Sequence, residues 1–574
     1  MVRRLFSSNY LWLFLFLVAG GCASLVLRYE LLWDFANYHY YNPWAFLNDR
    51  WMYDIAPAGI NTFFNPLLDV PLYLLIQHFN NYPNFIIFIQ GLWSGAAAFM
   101  AFQLAKIFFD FSTWKGRVQT FLAVAIGVTS WPFFMQIGTS TNEMPIALMV
   151  MFSWWLLFKE ITSEKSINAK SFFISGLVLG AAAGLKLTAA TYCVSTGISL
   201  ILCYKMFKPF PKLIGLFILG GIIGFLITNG FWMWRLWQTF ENPVFPLLNN
   251  IFKSEWFDER SYRDEMFLPK DILGYIFYPF YIMLDKLKKE GQSIIMDFRF
   301  IVMFFIVIGT IIYIAYRFIR YRQLVKTTPT ICFLSVLWLS SYVAWLVGFS
   351  IPRYSIPIFI LGSIIMVLIA FILYPKEGNV KFVFYSSTIV ILLYSFVMTP
   401  HYSDEWGKWL RKPPHLISFF TNVWPDLKDD LPFIEKYGEF SKFVDIEEID
   451  LPDNTLLQLY EVPVASAIPV FANNTKIRAV SMHIDNKALE GDIFSRDTWM
   501  ELKKNTIKSH QGNKVILISL HKPVHITNVF YQYAKHQGME CHLVINNMFD
   551  WVLCVPPEQV KEIFKWRYQD QSSK

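Results

Sequence analysis

Apolar runs of about twenty residues recur through the first two thirds of the chain, and no other feature constrains its fold as strongly. A helix needs roughly 20 such residues to cross about 30 Å of hydrocarbon, and in lipid its backbone must satisfy its own hydrogen bonds. Candidate spans lie at 10–28, 84–109, 118–136, 144–160, 171–189, 190–205, 212–233, 299–317, 329–349, 354–374 and 381–399. About eleven transmembrane helices are therefore expected, with 171–205 the least regular. Only 16% of the 574 residues are charged, against roughly 25% in soluble domains, which excludes an ordinary soluble enzyme, a disordered chain and a coiled coil. Residues 1–400 carry 30 Lys and Arg against 20 Asp and Glu, 401–574 carry 20 against 23, and eight of the ten His follow residue 400. The expectation is a polytopic α-helical membrane domain over 1–400 and a soluble α/β domain over 401–574.

Lys and Arg in the short loops set the orientation. Arg3, Arg4, Lys115, Arg117, Lys159, Lys165, Lys170, Lys205, Lys208, Lys212, Arg317, Arg320, Arg322, Lys326, Lys376 and Lys381 fall on one face, which is then the cytoplasm. The opposite face receives the loop 29–83, a turn near 137–143, the loop 234–298, the turn at Arg353 and the tail. Ala19-Gly20-Gly21-Cys22 faintly resembles a lipoprotein cleavage site, but apolar sequence continues through Leu27 and the first helix is expected to be retained. Gly176, Gly180 and Gly184 recur every four residues, a spacing that suits close helix packing. Cys22, Cys193, Cys203 and Cys332 lie in apolar segments, whereas Cys541 and Cys554 flank a hairpin with a turn near Asn546-Asn547. In an exported tail that pair is able to form a disulfide.

The loop after the first span concentrates polar chemistry beside the membrane. It holds Asp34, Asp49, Asp54, Asp69 and His39 among many Tyr, Trp and Asn. A carboxylate shielded by Trp33, Phe35 and Trp44 suits a general base, and aromatic faces with Asn or His suit a sugar ring.

The order of motifs there is Asp34-Phe35 followed by several Tyr, Ala45-x-Leu47-x-Asp49-Arg50-x-x-Tyr53, and Asn65-Pro66-Leu67-Leu68-x-x-Pro71-Leu72-Tyr73. With Gly184-Leu185-Lys186-Leu187-Thr188 and Pro352-Arg353-Tyr354-Ser355-Ile356-Pro357, it resembles the glycosyltransferase C (GT-C) superfamily over about residues 8–400. Members are integral-membrane enzymes that use polyprenyl-phosphate-linked sugars, with a catalytic Asp in the first external loop. Asp49 stands where many members carry Gly.

The resemblance implies inverting transfer from a polyprenyl-phosphate sugar to a glycan, lipid or protein acceptor. It takes place at the outer face of a bacterial inner membrane, with the N-terminus cytoplasmic and the tail periplasmic. Asp34 is then the general base; Arg353, Lys186 and Arg235 meet the donor phosphate; and Tyr38, His39, Asn65, Asp69 and Glu143 bind substrate. Bland alternatives stay open. Asp34 would serve as a helix cap, Asp54 and Asp69 as turn or cap residues, Glu143 as a cap, His39 as packing, Lys186 as a snorkelling side chain, and Arg353 as a structural ion-pair partner. No cofactor is expected; a divalent metal is not favoured, since Asp34 has no acidic neighbour. No nucleic-acid partner is expected. Competing classes are an oligosaccharide ligase using a polyprenyl-diphosphate donor, a lipid-glycan transporter or flippase, and a structural envelope subunit.

The segment 241–250, with 275–285, is expected to be irregular and interfacial. In the tail, 514–520, 540–545, 466–471 and 551–555 read as strands, 528–536 and 558–568 as helices, and Lys412-Pro413-Pro414 as part of a linker. His521 and His525 give a weak metal signal, and Asn473-Asn474-Thr475 is a glycosylation sequon.

Overall fold

The structure is a computed structural model that describes residues 9–27, 33–163, 167–207, 209–260, 267–281, 297–321, 328–373, 423–438, 440–472, 476–482, 497–520 and 524–568. Outside these lie Arg3, Arg4, Lys165, Lys208, Arg322, Lys326, Lys376, Lys381, the 381–399 span, the 400/401 domain boundary, the Lys412-Pro413-Pro414 linker, the sequon, His521 and 282–285.

Seven described helices are long and apolar enough to cross a membrane: Asn9–Leu27, Pro83–Phe108, Glu143–Thr162, Phe210–Phe240, Arg299–Arg320, Pro329–Gly348 and Pro352–Ile372. Three further candidates are shorter helices. Trp114–Val128 has 15 residues, Ala169–Leu185 has 17 and Ala190–Leu202 has 13. The count of eleven is thus not established, but the polytopic helical architecture is. The irregularity expected within 171–205 is a break at Lys186, followed by a 3-10 turn at Leu187–Ala189.

Contacts divide the chain into two compact units. One comprises Met1–Leu27, Ile87–Phe231 and Arg263–Trp406; the other comprises Arg28–Ile86, Trp232–Tyr262 and Gly407–Lys574. In the first unit, glycines decide which helices touch. A Cβ on Gly176 would overlap the Phe217 carbonyl, one on Gly180 the Gly221 carbonyl, and one on Gly184 the Thr228 hydroxyl. The four-residue glycine spacing is therefore the seam that lets the Ala169–Leu185 helix lie against the 210–231 stretch. Gly20, Gly91 and Gly95 do the same where the first span meets the 87–108 stretch.

The second unit is built on a five-stranded sheet: β1 (Leu456–Tyr460), β2 (Arg478–Ser481), β3 (Lys514–Ser519), β4 (Glu540–Val544) and β5 (Trp551–Val555). Their order is β2-β1-β3-β5-β4, with β2, β1 and β3 parallel and β5 antiparallel to both β3 and β4. The Val524–His536 helix is the crossover from β3 to β4. The expected hairpin is β4–β5; the Asn546 side chain accepts from the Met548 and Phe549 amides in its turn. Cys541 and Cys554 face each other in register and form a disulfide.

Two tail expectations are corrected. Residues Ala467–Phe471 form a helical turn rather than a strand; Pro469 has no ladder donor, and a short apolar run does not by itself distinguish the two. The terminal 558–568 segment is not one helix but three short pieces, Pro557–Gln559, Val560–Ile563 and Lys565–Tyr568. Pattern-reading missed two strands: β1, every residue of which is buried, and β2 at the sheet edge.

Candidate functional site

The polar first loop belongs to the same unit as the sheet and is fastened to it. Ile55 pairs with the free edge of β2: its amide donates to the Ala479 carbonyl and its carbonyl accepts from the Ser481 amide, at 2.8 and 2.9 Å. Asp54 secures that join. It receives a fork of bonds from Arg50 at 2.8 and 2.7 Å, the Tyr41 hydroxyl at 3.0 Å and the Ala479 amide at 2.8 Å. A buried carboxylate so fully engaged is structural.

Asp34 opens the other end of the loop. Residues Phe35–His39 form a single π-helical turn, with all five side chains buried. The Ala36 carbonyl accepts from both the amide and hydroxyl of Ser466, at 3.1 and 2.6 Å, and the Phe35 ring meets Phe443 edge-on. Tail residues thus hold the segment that follows Asp34. Asp34 itself is half-buried, has helical backbone angles and makes no side-chain capping bond, so the cap reading finds no support. Such π turns are rare and concentrate at functional sites. Nothing in the spacing of Asp34-Phe35-Ala36-Asn37-Tyr38-His39 announces one.

Further along the turn, His39 Nδ1 lies 2.7 Å from the Asp69 carboxylate, with both residues buried. The Tyr38 ring lies 4.2 Å from the imidazole and meets Phe64 edge-on. Asn65 accepts from the Leu67 amide at 3.0 Å and shapes the Pro-rich turn. Asp69 directly precedes the Val70–Phe79 helix but makes no side-chain capping bond there, so its reach to His39 is a specific tie. Arg235 stacks over Phe46, Trp51 and Trp232 at 5.5–5.9 Å, a cation held on aromatic faces.

In the membrane unit, three expected site residues come together at three helix breaks. Glu143 is the first residue of its helix, entered through Asn142 in the left-handed region at φ 66°. Lys186 sits in the extended break after Leu185, and Arg353 in the 3-10 turn Pro352–Ser355. Lys186 Nζ donates to Glu143 Oε1 at 2.7 Å and to the Thr141 carbonyl at 2.6 Å, while Arg353 Nε lies 3.2 Å from the same Oε1. Glu143 Oε2 is buried with no hydrogen-bond partner among the described residues. Both cations lie 5.4 Å from the Tyr354 ring, whose carbonyl is fixed by the Tyr192 hydroxyl at 2.5 Å. Among the described residues two cations and one carboxylate leave a net single positive charge, and they line a small recess with Thr188, Tyr192 and Pro357. Charges at the edge of an apolar bundle are costly, so such a cluster is a functional-site candidate. Thr141, Tyr192 and Tyr354 were not legible as site residues; only the position of Tyr354 beside Arg353 hinted at it.

Among the described residues no three His, Cys, Asp or Glu side chains converge as a metal site.

No protein-family model matches the sequence, and no curated protein matches it. Solved structures do match. ArnT from Cupriavidus metallidurans bound to undecaprenyl phosphate is similar over 94% of this chain and 98% of its own, with a TM-score of 0.52 at 11% identity. Its apo state covers 94% and 97%, with a TM-score of 0.42 at 10% identity. This chain therefore has the fold of ArnT over nearly its whole length.

Proposed function

We propose that the chain is a membrane glycosyltransferase that moves a sugar from a polyprenyl-phosphate donor to an acceptor at the outer face of a bacterial inner membrane. The observation that carries this reading is the joint approach of Lys186 and Arg353 to Glu143 beside the recess. A departing polyprenyl phosphate gains negative charge as the glycosidic bond breaks, and fixed cations stabilise it most where water is scarce. Arg353 offers a planar fork to phosphate oxygens and Lys186 a point charge. The shared fold with a protein crystallised with undecaprenyl phosphate favours the same class of lipid here.

In this reading an acceptor hydroxyl attacks the anomeric carbon from the face opposite the phosphate and inverts it, while Asp34 takes its proton. The aromatic and amide groups of the first loop, with Tyr38, His39, Asn65 and Asp69, bind the sugar or the acceptor. Arg235 is retained as a further donor-side cation. The Cys541–Cys554 disulfide favours an oxidising compartment for the tail, in keeping with a periplasmic location and the Lys and Arg bias of the opposite loops. Within its unit the tail braces the first loop, a role that needs no chemistry of its own.

The test is transfer by the purified protein from a panel of short-chain prenyl-phosphate sugars, with and without EDTA. Transfer that persists in EDTA supports the reading in its metal-free form, and loss with EDTA would require a divalent ion. Absence of transfer from monophosphate donors, with transfer from a diphosphate-linked oligosaccharide, would replace it with the ligase reading.

A further inference from the structure

The two cations beside Glu143 sit on separate chain breaks, and one side chain joins those breaks. Lys186 is the extended residue that ends the Ala169–Leu185 helix, and the chain restarts as the Ala190–Leu202 helix. Arg353 lies in the Pro352–Ser355 turn between the Thr328–Gly348 and Ile356–Leu373 helices. Tyr192, in the first turn of the restarted helix, donates its hydroxyl to the Tyr354 carbonyl at 2.5 Å. Its ring is buried and meets Trp154 edge-on with centroids 5.7 Å apart, while Trp154 Nε1 donates to the Thr196 hydroxyl at 3.0 Å. The turn is held from two further sides. Trp345 Nε1 donates to the Ile351 carbonyl at 2.7 Å, and the Tyr278 hydroxyl to the Ser350 carbonyl at 3.0 Å. Ser350 stands in the left-handed region at φ 53°, where a helix end usually takes Gly; a residue with a Cβ keeps that conformation when its surroundings over-determine it.

Carbonyls freed by a helix break inside an apolar bundle need donors, and a buried Tyr needs a partner for its hydroxyl. Any carbonyl of the break would meet both needs. What singles out Tyr192 is its place: Tyr192 and Tyr354 line the same recess as Lys186, Arg353 and Glu143, and the Tyr354 ring lies 5.4 Å from each cation. Lys186 Nζ and Arg353 Nε approach one oxygen, Glu143 Oε1, at 2.7 and 3.2 Å, so their separation is one that a single anionic oxygen bridges. We propose that Tyr192 is the positioning residue of this cation pair: its bond to the Tyr354 carbonyl fixes Arg353 relative to Lys186 and thereby sets the affinity of the recess for a phosphate monoester. The inference rests on the placement of the donor phosphate in the glycosyltransferase reading and deepens it. Tyr192 acts through Arg353, whose guanidinium recognises phosphate oxygens only when its fork is correctly aimed.

The experiment compares the affinity of the full-length protein in detergent for a short-chain prenyl phosphate and for the prenol of the same chain, which lacks the phosphate. Tyr192→Phe keeps the ring and its packing and removes only the hydroxyl. It should weaken prenyl phosphate binding about 3- to 10-fold and leave prenol binding unchanged. In an Arg353→Met background the same substitution should cause no further loss, because the group it aims is gone. If Tyr192→Phe does not fold, Tyr278→Phe, which releases the Ser350 carbonyl of the same turn, carries the comparison. Unchanged prenyl phosphate affinity in the folded variant, an equal loss for both ligands, or an additive loss in the Arg353→Met background would reduce Tyr192 to a structural brace and overturn the proposal, with the glycosyltransferase reading intact. Wild type that binds prenyl phosphate no better than the prenol would overturn the phosphate site itself and the proposal with it.

Discussion

Replacing Lys186 by Met tests the net-charge argument for the phosphate site. The substitution keeps the apolar stem and removes the ammonium that Glu143 and Thr141 hold at 2.7 and 2.6 Å. Two unit charges 4 Å apart interact by about 4 kcal/mol at an effective dielectric near 20, and desolvation offsets much of that. What survives for one charge-assisted contact to phosphate is about 1.5–3 kcal/mol, or roughly 10- to 150-fold in affinity. Counted over the described residues, the site also passes from one net positive charge to none. Glu143→Gln alone raises the net charge to two, and the double variant restores it to one. The expected order of affinity for a short-chain prenyl phosphate is therefore Glu143→Gln tightest, wild type and double variant similar, and Lys186→Met weakest. Displacement of a fluorescent prenyl phosphate in detergent, at low and high salt, measures this, with melting temperatures as a folding control. If the double variant binds as weakly as Lys186→Met, Lys186 acts through its specific geometry and the net-charge argument fails. If Lys186→Met binds like wild type, the recess is not the phosphate site.

Three other outcomes follow from the packing and titration of the two units. Asp54→Asn leaves Arg50 buried without its anion and loosens the Ile55–β2 join; a cost of about 3–5 kcal/mol is expected, read as a lower melting temperature and faster proteolysis of the first loop. Gly180→Leu places a side chain against the Gly221 carbonyl, and overpacking of about 1–3 kcal/mol or more should appear as reduced folded yield and thermal stability in detergent. Burial pushes the Asp550 carboxyl up to about 7, so the native state holds that proton more tightly than the unfolded chain. Its contribution to stability is complete at low pH and is lost as pH rises towards 7; melting temperature should fall over about pH 4–7 in wild type and flatten in Asp550→Asn.

The membrane domain was legible because hydrocarbon demands long apolar helices, and the Gly176–Gly180–Gly184 spacing even indicated which face packs closely. The β4–β5 hairpin was legible from Asn546-Asn547 between two strand-like runs. Less was readable where local pattern carries little information. The 467–471 turn and β1 are both short apolar segments whose structure is decided by tertiary placement, and only Pro469 argued against a strand. Lys186, Glu143 and Arg353 were each marked by being charged beside apolar spans, but their union is a product of three helix breaks that no spacing reveals. The π turn after Asp34 is a backbone register shift with no side-chain signature, so it was hidden. Asp54 shows the converse: a turn residue by sequence, it carries the bonds that fix the loop to the sheet.

The central claim is that this loop and this fold perform glycosyl transfer with Asp34 as base. The most direct measurement is single-turnover transfer from a prenyl-phosphate sugar by wild type and by Asp34→Asn, with matched melting temperatures. The account predicts transfer by wild type and a loss of at least about 10²-fold in the variant, with donor binding retained. Equal rates in the two proteins would contradict it and move the search for the base to Glu143 and Asp69.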